Sequence, residues 1–115
     1  MTVDPEVSRI ISSFHAAGKP LALCCIAPIL AAKVLGDCGP TLTLGNCGSE
    51  DNWPYQGAIE AAKSFGANME LKEVEEVCVD VVNKIVTTPA FMYNGQFHQI
   101  QDGVSAMVKE LLEMV

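Results

Sequence analysis

Positive charge is scarce in this chain: 7 Lys and Arg stand against 14 Asp and Glu in 115 residues, a formal net charge of −7. The basic residues are scattered and form no run. Nucleic acid and anionic membrane surfaces are held through clusters of Lys and Arg that neutralise phosphates, so neither is an expected partner. Charge of either sign is sparse, at 18%, while 50% of the residues are hydrophobic. That balance excludes a disordered tail and predicts a buried core in a single domain spanning 1–115. Long apolar runs are missing too: the most apolar stretch, Leu21 to Ala32, is interrupted by Pro28 and falls short of the ~20 residues that cross a bilayer. No secretory leader is expected, because Asp4 and Glu6 stand where one would carry positive charge. No two of the five cysteines, Cys24, Cys25, Cys38, Cys47 and Cys78, have the Cys-x-x-Cys spacing of a redox or zinc motif, and an odd number cannot all pair. These readings predict a soluble, intracellular protein with reduced thiols, no metal and no cofactor.

What is present is an alternation of helix and strand signals. Asp4-Pro5-Glu6 starts a helix: Asp4 caps free amides, Pro5 fills a position that needs no donor, and Glu6 suits the positive end of the dipole. Val7, Ile10, Ile11 and Phe14 share one face, and Gly18 closes the helix before Pro20. Leu21 to Cys24 reads as a buried strand, Pro28 to about Leu35 as a second helix and Thr41 to Leu44 as a second strand. Turn chemistry fills Asn46 to Pro54, and Tyr55 to Phe65 reads as a third helix closed by Gly66. Asn68 to Leu71 is a short strand; Val77 to Val81 and Lys84 to Thr88 form either a hairpin or one irregular strand. From Gln96 the chain is helical to its end, with Ile100, Val104, Met107, Val108, Leu111 and Leu112 as its core stripe. The alternation implies an α/β layer architecture with mostly parallel strands, although four strands make a small sheet.

In open α/β sheets the reactive crevice lies beyond the carboxyl ends of the strands. Leu23-Cys24-Cys25-Ile26-Ala27-Pro28 occupies such a strand-to-helix junction. A nucleophile there sits on a strained turn, the next amide is free to hold an oxyanion, and the helix end favours a thiolate. Cys25 is therefore the candidate nucleophile and the backbone N–H of Ile26 the candidate oxyanion donor. The competing reading of Cys25 is a small buried hydrophobe. Leu23 and Ala27 stand where small residues usually flank the nucleophile, and only Ala27 is small.

Gly18 through Pro28, Ala31-Ala32-Lys33-Val34-Leu35, Trp53-Pro54-Tyr55, Asn83 through Met92, and Asp102-Gly103 with Ala106-Met107-Val108 carry a family resemblance. Together they resemble the glutamine amidotransferase-like class 1 domain proteins of animal mitochondria and the bacterial enhancing-lycopene-biosynthesis proteins, within the ThiJ/PfpI superfamily. The resemblance implies a flavodoxin-like three-layer sandwich with the amino-terminal half of the domain missing. It further implies an elbow cysteine matching Cys25 that attacks a small carbonyl or amide, in glyoxalase-, deglycase- or hydrolase-like chemistry. Members are about twice as long, and the carboxylate that contacts their cysteine matches no residue here. A mitochondrial location follows from the resemblance, and a cytoplasmic one if Met1 is the true start.

Asn46 stands where animal relatives carry a histidine after the second strand, and an amide cannot act as a general base. His15 and His98 read as structural or surface residues, Glu70 to Glu76 as a solvated connection, and Gly45-Asn46-Cys47-Gly48 as a turn without the Lys and Ser/Thr of a phosphate cradle. Trp53 and Tyr55 are expected to pack their loop down. Weak or absent activity alone is the expectation for the short chain. Two alternatives stand beside it: a non-catalytic product that works as a homo-oligomer or through a partner covering an exposed sheet edge, and a redox sensor based on Cys25.

Overall fold

A computed structural model describes residues 2–115. Helix α1, Pro5–Ala16, starts as its sequence dictates, with the Asp4 carboxylate accepting from the Glu6 amide at 2.9 Å. Of its apolar stripe only Ile11 is buried; Val7, Ile10 and Phe14 remain more than one third exposed. Strand β1, Leu21–Cys24, leads through a turn into helix α2, Pro28–Val34. Strand β2 is Thr41–Leu42, two residues shorter than its β-forming sequence predicts. Thr43 and Leu44 are still fully inside the core. The Thr43 amide donates to the Thr87 hydroxyl at 3.0 Å and the Thr43 hydroxyl accepts from Gly45 N–H at 3.1 Å, so side chains replace the backbone ladder there.

Helix α3 covers Gly57–Ser64, with Tyr55 and Gln56 in a preceding turn rather than in the helix. Strand β3, Asn68–Met69, pairs in parallel with β2. Strands β4, Cys78–Asp80, and β5, Ile85–Thr88, form an antiparallel hairpin, which resolves the two readings of that segment. Strand β5 also pairs in parallel with β1, giving the order β1-β5-β4 beside the small β2-β3 sheet. Five strands are therefore present among the described residues, not four, because the turn at 81–84 separates β4 from β5. Helix α4, Phe97–Glu113, opens with a reciprocal box between Gln96 and Gln99. Its inward face is Ile100, Gly103, Val104, Met107 and Leu111; Val108 and Leu112, expected on that face, point outward.

All four residues of β5 are buried, as a central strand requires, whereas all four of β1 are only half-buried at the sheet's edge. Helix α4 packs on β5 and β1; α1 packs on β1 and α2, and α2 on α3. Gly103 and Gly45 each set a close approach. A Cβ on Gly103 would lie 2.1 Å from the Val74 carbonyl oxygen and 3.0 Å from the Thr88 hydroxyl, so α4 sits on the sheet only because that position is bare. Gly45 has a positive φ of 106°, and a side chain there would strike the Trp53 ring.

The far end of the sheet is tied by a buried carboxylate. Asp80 accepts from Thr41 N–H at 2.8 Å and from the backbone and side-chain N–H groups of Asn83, each at 2.9 Å. His15 Nε2 lies 3.0 Å from Asn83 Oδ1, joining the end of α1 to the same cluster. Burial opposes the Asp80 charge, but hydrogen bonds from Asn83, Thr41 and Val82 outweigh it and hold the carboxyl below its ordinary range. The Glu70 to Glu76 stretch is less detached than its charge suggests: Val74 is buried, and the Glu76 carbonyl accepts from the Thr88 hydroxyl at 2.9 Å.

Candidate functional site

Parallel pairing aligns Cys24 with Thr88, so β1 and β5 end side by side. Each strand then leaves the sheet through a residue with left-handed backbone: Cys25 has φ 59° after β1, and Ala90 has φ 47° after β5 and Pro89. A non-glycine residue costs ~1–2 kcal/mol in this region, and such strain gathers at functional turns. The conformation of Cys25 is fixed by its own amide, which donates to the Thr88 carbonyl at 3.2 Å, and by the turn in which Ala27 N–H donates to Cys24 C=O at 3.0 Å. Ile26 is half exposed, and among the described residues its amide donates to no carbonyl.

The two adjoining thiols differ in environment. Both pack against the core, but Cys24 belongs to the strand; burial first, and the neighbouring Cys25 second, push its thiol up from the ordinary value. Cys25 instead opens on a cleft of about 620 Å³ whose walls include Ile26, Pro54, Tyr55, Phe91 and Met92. A second hollow of about 510 Å³ shares Pro54, Tyr55 and Phe91 with the first and continues to Asn94, Gly95 and Phe97. The loops around these hollows are bound together: Asn94 N–H donates to Asn52 C=O at 2.7 Å and the Asn94 side chain donates to Asp51 C=O at 3.1 Å.

The remaining sequence candidates lie elsewhere or act structurally. His15 is at the opposite end of β1 from Cys25, in the Asn83 cluster, and His98 is exposed on the first turn of α4 and lines neither hollow. The Asn46 side chain donates to Glu73 at 2.8 Å and accepts from Cys47 N–H at 2.7 Å, so it organises its own turn. Trp53 does pack its loop down, buried and 4.7 Å from the Tyr93 ring. Tyr55 does not: it is 59% exposed and forms cleft wall, because the turn before α3 directs it outward. Thr88, Ala90 and Phe91 received no role from sequence reasoning. The Thr-Thr-Pro-Ala-Phe stretch after an apolar strand is a signal for a strand-end turn, but nothing local shows that this turn adjoins Cys25. Among the described residues no cluster of His, Cys, Asp or Glu is arranged to hold a metal, and no helix is long and apolar enough to cross a membrane.

The fold is a flavodoxin-type α/β architecture of the amidotransferase-like kind. An isoprenoid biosynthesis protein with an amidotransferase-like domain from Ehrlichia chaffeensis superposes on 99% of this chain with a TM-score of 0.81; the match covers 48% of that protein, at 21% sequence identity. No protein-family model matches the chain. Sequence similarity is high to the mitochondrial glutamine amidotransferase-like class 1 domain-containing protein 3 of Homo sapiens, 52% identical over 97% of this chain and 41% of that protein. The mitochondrial ES1 protein homolog of Rattus norvegicus is 50% identical over 97% of the chain, and the mitochondrial ES1 protein of Danio rerio 38% identical over 95%. Each of these alignments covers 42% of the relative. The chain is similar to the glutamine amidotransferase-like class 1 domain and ES1 proteins, and it spans about two fifths of the length of the relatives it matches.

Proposed function

We propose that this chain carries the nucleophilic part of a ThiJ/PfpI-type site, with Cys25 attacking a small carbonyl or amide and the Ile26 amide receiving the developing oxyanion. The observation that supports this reading is the left-handed backbone of Cys25 at the mouth of a cleft. With an aldehyde the first step balances within the pair: sulfur bonds to the carbonyl carbon, the C=O π bond breaks, and the thiol proton ends on oxygen as a hemithioacetal. Onward hydrolysis or isomerisation needs a proton acceptor. Neither hollow is lined by a carboxylate or an imidazole, so turnover by this chain alone is weak or absent. The mitochondrial names of the relatives support a mitochondrial place of action.

Alkylation kinetics test the reading. Cys25, followed by peptide mass spectrometry near neutral pH, is expected to react faster than N-acetylcysteine, and Cys25→Ala to abolish the fast phase and any aldehyde consumption. A Cys25 no faster than the free thiol, with activity unchanged in Cys25→Ala, refutes it.

A second, non-catalytic reading has its own support. Strand β1 pairs on one side only, and Val7, Ile10 and Phe14 on the adjoining α1 are exposed. We infer that this edge is covered by a second copy of the chain. Analytical ultracentrifugation at micromolar concentration should show a dimer or larger; a cooperatively unfolding monomer excludes it.

A further inference from the structure

The groove in front of Cys25 has a chemical character that narrows what can enter it. Its two hollows share a ridge made by Tyr55 and Phe91, 59% and 58% exposed, and neither hollow is lined by Asp, Glu, Lys or Arg. Near the thiol the wall is mainly apolar, from Ile26, Pro54, Ala58 and Met92; apart from the Tyr55 hydroxyl on the ridge, polar side chains come beyond it, at Tyr93 and Asn94 beside the Gly95 backbone. Each hollow has the size of a small-molecule site. A free amino acid such as glutamine brings a carboxylate and an ammonium group. Seating either against this wall strips part of its water and supplies no opposite charge, which disfavours it. An aromatic or aliphatic tail has the reverse balance: it gains from the exposed ring faces and loses little hydration.

We propose that this groove selects uncharged carbonyl compounds with an aromatic or aliphatic tail, that Tyr55 and Phe91 determine this specificity, and that free glutamine is not accepted. The inference rests on the Cys25 reading for what happens to the carbonyl, not for what the groove binds. The carbonyl sits at Cys25, the tail crosses the Tyr55–Phe91 ridge, and a polar terminus on a longer tail reaches Asn94. Both ridge residues are positioned by neighbours already described: Phe91 by the strained turn at Ala90, and Tyr55 by the turn before α3.

Binding is measured by NMR titration of the 115-residue chain carrying Cys25→Ala, which removes covalent capture, and repeated on the wild-type chain under reducing conditions. The probes are 3-phenylpropanamide, propanamide and glutamine. The phenyl amide is expected to saturate with a Kd at least about tenfold below that of propanamide, and glutamine not to saturate. Tyr55→Ala and Phe91→Ala should each weaken the phenyl amide by about tenfold and leave propanamide unchanged; both side chains are exposed, so folding should persist. Equal affinity for the two amides, tighter binding of glutamine, or no saturable binding of any probe overturns the proposal. Addition of phenylacetaldehyde to wild-type Cys25 is followed separately by mass spectrometry after borohydride-free quenching with iodoacetamide, as protection of the thiol. If the binding preference holds while the thiol is unprotected and inert, selectivity stands and the nucleophile reading falls.

Discussion

Replacing Cys25 by alanine and, separately, by glycine measures the strain in the elbow without reference to any substrate. Alanine keeps the side chain that makes φ 59° unfavourable; glycine removes it. Relief of a left-handed L-residue is worth ~1–2 kcal/mol. Against it stands the greater freedom of glycine in the unfolded chain, ~0.4–1 kcal/mol. The difference leaves the glycine variant more stable than the alanine variant by roughly 0.5–1 kcal/mol. For a chain of this size that corresponds to about 2–4 °C in Tm. Thermal and urea unfolding followed by circular dichroism, with reductant present, give the comparison directly. If Cys25→Gly melts at or below Cys25→Ala, the elbow is not strained and the geometric basis for a special thiol is lost. The glycine variant should also lose the fast alkylation phase assigned to Cys25, as the alanine variant does, which separates stability from chemistry at one position.

Gly103→Ala pits helix propensity, which favours alanine by ~1 kcal/mol, against a Cβ placed 2.1 Å from the Val74 carbonyl oxygen; overpacking costs about 1–3 kcal/mol and wins, with a net loss of up to about 2 kcal/mol by urea denaturation. For Asp80, a carboxyl pushed below its ordinary value of 3.8 contributes stability that is fully present above that pH and is lost as pH falls through the lower folded value. Urea midpoints should therefore drop below about pH 3.8 in the wild type and less so in Asp80→Asn, which is itself destabilised by ~1–3 kcal/mol at pH 7 because an amide N–H₂ cannot accept. Cys78 has the opposite sign: burial first, then the charge of Glu70 with its contact at 3.4 Å, push the thiol up to about 12. Its stabilising contribution is complete below the ordinary value of 9.0 and declines as pH rises toward about 12. Native-state labelling at pH 8 should accordingly modify Cys78 last, and early labelling of Cys78 contradicts its burial.

The helices were largely legible because their signals are local. Asp4-Pro5 and Gly18 bound α1, and Pro28 opens α2 where the chain turns out of β1. The strand-to-helix junction at Cys25 was legible for the same reason. What the sequence could not show is pairing. Strand β2 stops after Leu42 because the Thr87 hydroxyl, 44 residues away, takes over from a backbone partner. Val108 and Leu112 follow the apolar period of α4 but lie past the face that α4 sets against β5 and β1. Tyr55 and Phe91 come from segments far apart in sequence, and only the fold brings them into one cleft wall.

The bond from Cys25 N–H to Thr88 C=O also has a consequence for how the protein is made. Thr88 is itself held by Glu76 through its hydroxyl and abuts Gly103 of α4, so the elbow depends on segments spread over most of the chain. Contacts this distant in sequence form late, after the entropy of closing long loops has been met. During synthesis Cys25 therefore leaves the ribosome as an ordinary, relaxed cysteine. It acquires its constrained geometry only when β5 has paired beside β1 and Thr88 is held in place.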